Sequence, residues 1–159
     1  MKNYINILNA RFNRELQQQI DGTLPKGHVY KLGKAGKTLR CAGVDNLPIE
    51  MSAERLIFRA SADLGHPFDL SNVKNLPKAI NYPIAIFDST KRDGSKIILT
   101  ELQHRENNFI VVMRVQHKGR GRIEINDIRS IYPKDNVQGI INWINSKDKL
   151  LRWVDKKKP

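Results

Sequence analysis

Side chains suited to phosphodiester cleavage gather in the C-terminal half of the sequence. Glu101 and His117 lie on two consecutive β-rich runs, and Arg129 and Lys134 bracket the end of the next run. A carboxylate can take the proton from a 2′-hydroxyl, an imidazolium can protonate the leaving oxygen, and fixed cations can stabilise the charge that develops on phosphorus. These residue types therefore predict cleavage of RNA without a metal, with Glu101 as general base and His117 as general acid.

The short stretch where the last β-rich run gives way to a helix supplies the other catalytic candidates. Arg129, Ser130, Tyr132 and Lys134 follow one another there, and the free N–H groups at the start of a helix attract anions. We expect Arg129 and Lys134 to stabilise the phosphorane, and Ser130 and Tyr132 to position the phosphate. The alternative is ordinary N-capping of that helix, with Tyr132 packed on the sheet.

A basic hairpin is the main candidate for nucleic-acid binding. Its cations surround two glycines with no acidic residue among them: Arg114, His117, Lys118, Arg120 and Arg122. Glycine lets a phosphate backbone approach closely, and the guanidinium fork can bind phosphate through two donors. We predict that this hairpin and Asn136 contact RNA, and that Lys118 also stabilises the phosphorane. The alternative is a solvated hairpin tip that only aids solubility.

The strand position of Glu101 restricts its surroundings. Alternation along the strand puts Glu101 on the same face as Ile97 and Leu99. An unpaired carboxylate in such a face costs on the order of several kcal/mol, so Glu101 must lie at the rim or meet a cation. A salt bridge to Arg114 or Arg129 is the structural alternative to a catalytic role.

The elements that must position these residues begin with helices. Apolar residues at steps of three and four predict a first helix that ends at Asp21: Ile5, Leu8, Phe12, Leu16 and Ile20. The glycine- and lysine-rich stretch 22–43 predicts a loop with at most short strands. Its segment 33–38 lacks the glycine spacing and the preceding strand of a phosphate-binding loop. Two further helices are predicted over 49–65 and 70–80.

After Pro83 the hydrophobic period changes from helical to two, which predicts four strands. These strands cover residues 84–87, 96–103, 109–117 and 122–132. The short gaps between them allow only hairpins, so we predict a four-stranded antiparallel meander. A late helix and a short C-terminal strand over 150–154 complete an α+β fold. We expect one domain, helical over about 1–82 and sheet over about 83–155, with a basic tail at 156–159.

Composition limits the partners and the class of protein. The 159 residues carry Lys+Arg 28 against Asp+Glu 16, a net charge of +12, which predicts an anionic partner such as RNA. The single cysteine excludes an internal disulfide, no Cys/His spacing suits zinc, and we expect no metal and no cofactor. Neither a signal-peptide core nor an apolar run of about 18 residues is present. We therefore expect a cytoplasmic protein that has no membrane partner.

Several passages resemble a phage protein family. The passages are GHPFDLSNVKNLPKAINYPIAIFDS, SIYPKDN and LLRWVDK. Together they look like the C-terminal domain of phage MuF-type head proteins and the related nuclease-like domain of phage polyvalent proteins, over about residues 32–156. The resemblance implies the barnase, EndoU, colicin and RelE-like fold, with helices before a four-stranded antiparallel sheet. It also implies a ribonuclease-like toxin or effector, which we expect to be delivered into a recipient or host cell.

The resemblance carries site residues and partners with it. By position it matches Glu101, then His117 with Lys118, and then the turn at 129–132, while Pro133 stands where the family often has glycine. It implies RNA, such as tRNA or mRNA, as substrate and an acidic immunity or antitoxin protein as inhibitor. The competing hypothesis is a non-catalytic nucleic-acid-binding module associated with the phage head or DNA delivery. A third is a docking domain for another protein.

Overall fold

The computed structural model describes residues 2–61, 67–89, 94–118, 124–134, 137–145 and 150–155. The α-helices are α1 (Lys2–Asp21), α2 (Lys37–Cys41), α3 (Ala53–Ala60), α4 (Leu76–Asn81) and α5 (Val137–Ile144), with a 3₁₀ helix at Leu70–Val73. The strands are β1 (Val29–Lys34), β2 (Pro48–Ser52), β3 (Ala85–Asp88), β4 (Lys96–His104), β5 (Asn107–Lys118), β6 (Glu124–Pro133) and β7 (Leu151–Val154). None of the helices in these ranges has the length and apolar character needed to cross a bilayer.

The strands form one seven-stranded sheet in the order β1-β2-β6-β5-β4-β3-β7. Strands β3 to β6 pair antiparallel in succession, whereas β2 runs parallel to β6. The α+β class is confirmed, but the predicted four-stranded meander is wrong, because the sheet is mixed and β1, β2 and β7 extend it. The pairing of Ile49 with Asn126 explains why the prediction missed the mixed sheet. The two residues are far apart in the sequence, and the local hydrophobic period does not indicate which distant strands pair.

The glycine-rich segment contains β1 and α2, where mainly loop was predicted. Tyr30 and Leu32 of β1 are fully buried, and α1 packs across them. Gly33 permits this packing: its φ is +80°, and a Cβ there would lie 2.7 Å from Leu8 Cδ1. The strand forms because two large apolar side chains enter the core. The lysines and glycines around them make the segment look like a loop in the sequence.

The first helix agrees with its prediction, whereas the next two predicted helices differ from the observed ones. In α1 the predicted face is buried at Leu8, Phe12 and Leu16. Helix α3 starts later than predicted because residues 48–52 form β2, and the Ser52 hydroxyl caps it by accepting from the Arg55 N–H at 3.4 Å. The helix predicted over 70–80 is interrupted by Asn75, whose φ of 67° is left-handed.

Apolar clusters cover both faces of the sheet. The main cluster joins the helices to one face and includes Phe12, Leu56, Ile80, Phe109 and Met113. The second cluster lies on the opposite face and consists of Ala85, Phe87, Leu99 and Ile110, with Tyr132 and Ile140 of α5 packed against it. Among the described helices, only α5 packs on the face that carries the second cluster.

Asp88 ties three strands together at the end of β3. Its carboxylate binds Lys96 of β4 and Arg152 of β7. Partial burial by itself would raise the pKa of this carboxyl, but the hydrogen bonds and charges of Lys96 and Arg152 outweigh burial and hold the pKa of Asp88 below its ordinary value. The carboxylate is thus more acidic in the folded chain than in the unfolded one.

A pH-dependent loss of stability should follow from replacing Asp88. A depressed carboxyl pKa stabilises the fold above the unfolded pKa, and this contribution is lost as pH falls through the folded pKa. We expect Asp88→Asn to lower the free energy of unfolding by about 1 kcal/mol at pH 7 and by less at about pH 2, because the contribution of the carboxylate is lost as pH falls through its lowered folded pKa. Urea denaturation at both pH values checks this, and an equal loss at both would contradict it.

Candidate active site and nucleic-acid interface

Glu101 is exposed on β4, where the pairing with β5 is irregular. The register with β5 shifts between Leu99 and Gln103. Thr100 is fully buried and its hydroxyl donates to the Phe109 carbonyl at 2.9 Å, while Leu102 packs against the main cluster. Since burial alternates along this part of β4, Glu101 projects from the opposite face, the face of Leu99. The carboxylate lies at the rim, one of the two locations the sequence allowed.

Tyr132 and Lys134 lie at the same end of the sheet as Glu101. Ile110 of β5 pairs with both Leu99 and Tyr132, so Tyr132 lies across one intervening strand from the Glu101 region. The pairing of β6 with β5 extends to Lys134, whose N–H donates to the Asn108 carbonyl at 2.8 Å. Two inter-strand spacings separate β4 from β6, which is about 10 Å.

These three residues also share a face. Tyr132 packs on the second cluster, whereas the following residue, Pro133, is buried toward the main cluster's side, where Ile131 also lies. Alternation then returns half-buried Lys134 to the face of Tyr132. We call Glu101, Tyr132 and Lys134 the rim triad. It combines a carboxylate, a phenol and an ammonium on two strands that are separated by β5.

His117 lies at the other end of β5. The His117 backbone pairs with Ile125 of β6. His117 is seven residues after Ile110 on β5, so about 20 Å or more of strand separates the two residues. Glu101 and His117 therefore cannot act on one phosphodiester, because proton transfer requires hydrogen-bond reach of the same group. Lys118, whose backbone pairs with Glu124, shares this distant end. Of the other predicted contacts, Arg120, Arg122 and Asn136 fall outside the described residues.

Arg129 occupies a bulge in β6. Ile128 pairs with Met113 and Ser130 with Val112, which leaves Arg129 as the additional residue. Its guanidinium Nη1 lies 3.8 Å from Asp127 Oδ2, and its side chain is 42% exposed. Bulges commonly redirect a side chain near functional sites. Here the bulge directs Arg129 toward Asp127, while half-buried Ser130 returns to regular pairing on the face of Tyr132.

Two arginines of α3 bind β6 beside Arg129, one at Asp127 and the other at a backbone carbonyl. Arg55 Nη1 donates to Asp127 Oδ2 at 3.1 Å and to the Ile128 carbonyl at 3.3 Å. Arg59 Nη2 donates to the Arg129 carbonyl at 3.3 Å. Because β2 pairs with β6 only up to Asp127, the carbonyls beyond that point lie on an open edge, and the α3 arginines satisfy them.

We call Arg55, Arg59, Arg129 and Asp127 the arginine cluster. Arg55 and Arg129 contact the Asp127 carboxylate, and Arg59 binds the Arg129 carbonyl beside it, so the three guanidinium groups and one carboxylate carry a net positive charge. The exposed Arg114 lies in register with Asp127. The sequence analysis missed Arg55 and Arg59. Their spacing of four residues on one helix face was the available signal. The arrangement can hold a phosphate group, because Arg129 retains exposed donors.

The described part of the chain contains no group of three or more His, Cys, Asp or Glu side chains placed to hold a metal ion.

In comparisons with known proteins, no curated protein and no solved structure matches the chain. The family model of the phage MuF C-terminal domain matches residues 58–159, which is more than half of the 159 residues and includes the whole rim triad. The chain therefore belongs to the phage MuF C-terminal domain family.

Proposed function

We propose that the protein is a metal-independent endoribonuclease-like domain, a phage-derived toxin or effector of the barnase, EndoU, colicin and RelE-like fold. The observation that carries the proposal is the rim triad, in which Glu101, Tyr132 and Lys134 share one face and one end of the sheet. The net charge of +12 suits an RNA substrate. The same basic surface would suit an acidic immunity or antitoxin protein.

The proposed reaction is an attack by the 2′-hydroxyl on the adjacent phosphorus. Glu101 accepts the hydroxyl proton as the new O2′–P bond forms. The 5′-oxygen leaves with a proton from the Lys134 ammonium, and the products are a 2′,3′-cyclic phosphate and a 5′-hydroxyl end. The Tyr132 hydroxyl donates a hydrogen bond to a non-bridging phosphate oxygen, where negative charge accumulates in the transition state. This scheme replaces His117 by Lys134 as general acid.

Arg129 and Ser130 have supporting roles in this proposal. In the proposal Arg129 binds another phosphate of the RNA at the arginine cluster, because the bulge turns its guanidinium toward Asp127. Ser130 shares the face of Tyr132 and contacts the nucleotide that lies between the two sites. Binding of neighbouring phosphates holds the reacting group in line, which is a substantial part of catalysis by enzymes that lack a metal.

Incubation of the purified chain with synthetic RNA in EDTA tests the proposal. Fragments with 2′,3′-cyclic phosphate ends, resolved by gel electrophoresis and mass spectrometry, are the expected result. Intact RNA that is nevertheless retained by the protein at low salt would contradict cleavage. That result would favour the second candidate function, a non-catalytic nucleic-acid-binding module associated with the phage head or DNA delivery.

The arginine cluster favours that second candidate, because it offers net positive charge without an acid–base pair. Asp127 is its single anion, with a side chain only 11% exposed. If the cluster binds phosphate, removing this charge should strengthen binding while weakening the fold, because the guanidinium groups lose their partner.

We expect Asp127→Asn to lower the free energy of unfolding by about 1–2 kcal/mol, a figure discounted for the partial exposure of Arg55 and Arg129. We also expect it to tighten binding of a labelled single-stranded RNA about two- to fivefold at low salt. Urea denaturation and fluorescence anisotropy measure the two effects. Weaker RNA binding by a folded variant would show that the cluster does not contact phosphate.

A further inference from the structure

A groove lined by tyrosines and cations lies on the helical side of the molecule and shares no residue with the rim triad or the arginine cluster. One cavity of about 280 Å³ is bordered by the start of α1, the β1–α2 connection and the end of α4, and Tyr4, Lys34, Lys37, Arg40 and Tyr82 are among the residues that line it. A second cavity of about 380 Å³ adjoins it, sharing Ile5 and Tyr82 and adding Lys78. We call the two cavities together the tyrosine groove.

The positive charge of the tyrosine groove favours binding of an anion. Lys34, Lys37 and Arg40 are exposed around the first cavity, and none of the described residues that line it is acidic. Lys78 extends the same charge to the second cavity. Ammonium and guanidinium groups that converge without a carboxylate are suited to phosphate, which the guanidinium fork can bind through two donors.

The aromatic residues of the groove add a second preference. Tyr4 is 50% exposed and Tyr82 is 45% exposed, and both line the first cavity. Exposed aromatic faces beside cations are the combination that binds nucleotides, because a base stacks on the ring while its phosphate meets the charge. The volume of the first cavity, about 280 Å³, is near the lower end of small-molecule sites and is of the size of one nucleotide.

The groove is held in shape by contacts behind it. The Gly36 N–H donates to Asn81 Oδ1 at 3.1 Å, and Asn81 Nδ2 donates to the Pro77 carbonyl at 2.7 Å. A Cβ at Gly36 would lie 2.5 Å from Asn81 Oδ1, so only glycine allows this approach. These bonds fasten the β1–α2 connection to α4 and so keep Lys37 near Tyr82. A preorganised site loses less conformational entropy on binding.

We propose that the tyrosine groove binds a nucleoside phosphate, either a free nucleotide or one nucleotide of a single strand. The base stacks on Tyr82 or Tyr4, and the phosphate contacts Lys34, Lys37 and Arg40. The segment 33–38 lacks the spacing of a phosphate-binding loop, and in this proposal side chains rather than backbone N–H groups hold the phosphate. The inference does not depend on the proposed cleavage activity.

Isothermal titration calorimetry of the full chain tests the groove, with 5′-AMP, a tetra-adenylate RNA and inorganic phosphate as separate probes. We expect Lys34→Gln/Lys37→Gln and, separately, Tyr82→Ala to weaken nucleotide binding about tenfold or more. The control is Lys26→Gln/Lys31→Gln, which removes the same charge from exposed lysines outside the groove. Thermal unfolding of every variant establishes that each is folded.

The three probes separate the sources of the ligand. Binding of 5′-AMP as tight as that of the tetranucleotide indicates a free nucleotide. Much tighter binding of the tetranucleotide, with a log–log salt slope of about −2 that falls in the lysine variant, indicates a single strand. Equal affinities of the groove variants and the control would overturn the proposal. Inorganic phosphate that binds as tightly as 5′-AMP would overturn the role of the tyrosines.

Discussion

Replacing Glu101 by glutamine is expected to slow RNA cleavage by about 100- to 10,000-fold, the range that general-base catalysis contributes. Glutamine has the same shape but cannot accept the 2′-hydroxyl proton. Because Glu101 is exposed at the rim of the sheet, the substitution should change the free energy of unfolding by less than about 0.5 kcal/mol. RNA affinity should remain nearly constant, since the cations of the site are unchanged.

Single-turnover cleavage of a synthetic RNA in EDTA measures this effect. Glu124→Gln is the matched control, because Glu124 is also an exposed strand glutamate but lies at the far end of β6. His117→Gln should likewise retain the wild-type rate, since the register places His117 beside Ile125 and away from the rim triad. An unchanged rate in Glu101→Gln would reject Glu101 as the base. A rate lost in His117→Gln would reject Lys134 as the acid.

Phe109→Ala is expected to lower the free energy of unfolding by about 3–5 kcal/mol. Phe109 is fully buried in the main cluster, and its ring packs edge-on against Phe68 with the centroids 4.9 Å apart. It also lies directly behind the rim triad, because it pairs with Pro133 and its carbonyl accepts the Thr100 hydroxyl. The cavity left by alanine would therefore loosen both the core and the strand ends that carry Glu101 and Lys134.

Urea denaturation of Phe109→Ala and Phe58→Ala separates burial from residue type. Phe58 is 57% exposed on α3, so the same truncation should cost less than about 1 kcal/mol there. The double variant of Phe68 and Phe109 should show a coupling energy of about 0.5–1.5 kcal/mol from their ring contact. Similar losses at Phe58 and Phe109 would contradict the core described here.

Local patterns were sufficient for several elements. The steps of three and four from Ile5 to Ile20 predicted α1, and the alternation after Pro83 predicted β3 to β6 within a few residues of their ends. The resemblance to the phage MuF C-terminal domain is confirmed by the family match over residues 58–159. Each of these depends on neighbours in the chain, whose spacing is visible in the sequence.

The candidate site was predicted in part. Alternation put Glu101 on the face of Leu99, and the strand end at Tyr132 and Lys134 was singled out. The grouping of Glu101 with His117 came from their strands being adjacent, but an antiparallel hairpin puts the end of β4 beside the start of β5, and therefore away from His117 at the end of β5. The register shows this arrangement and also brings the end of β6 to the same end of the sheet.

By itself, the sequence determined the α+β class, the order of most helices and strands, the cationic character and the family. The tertiary structure alone decided that Tyr30 and Leu32 enter the core, that β2 lies parallel to β6, and that Arg55 and Arg59 reach the open edge beside Asp127. The physical reason is the distance along the chain over which the deciding interactions act. Periodicity and capping reflect interactions within a few residues, whereas strand partners, register and the meeting of charged side chains depend on burying apolar surface contributed by distant parts of the chain.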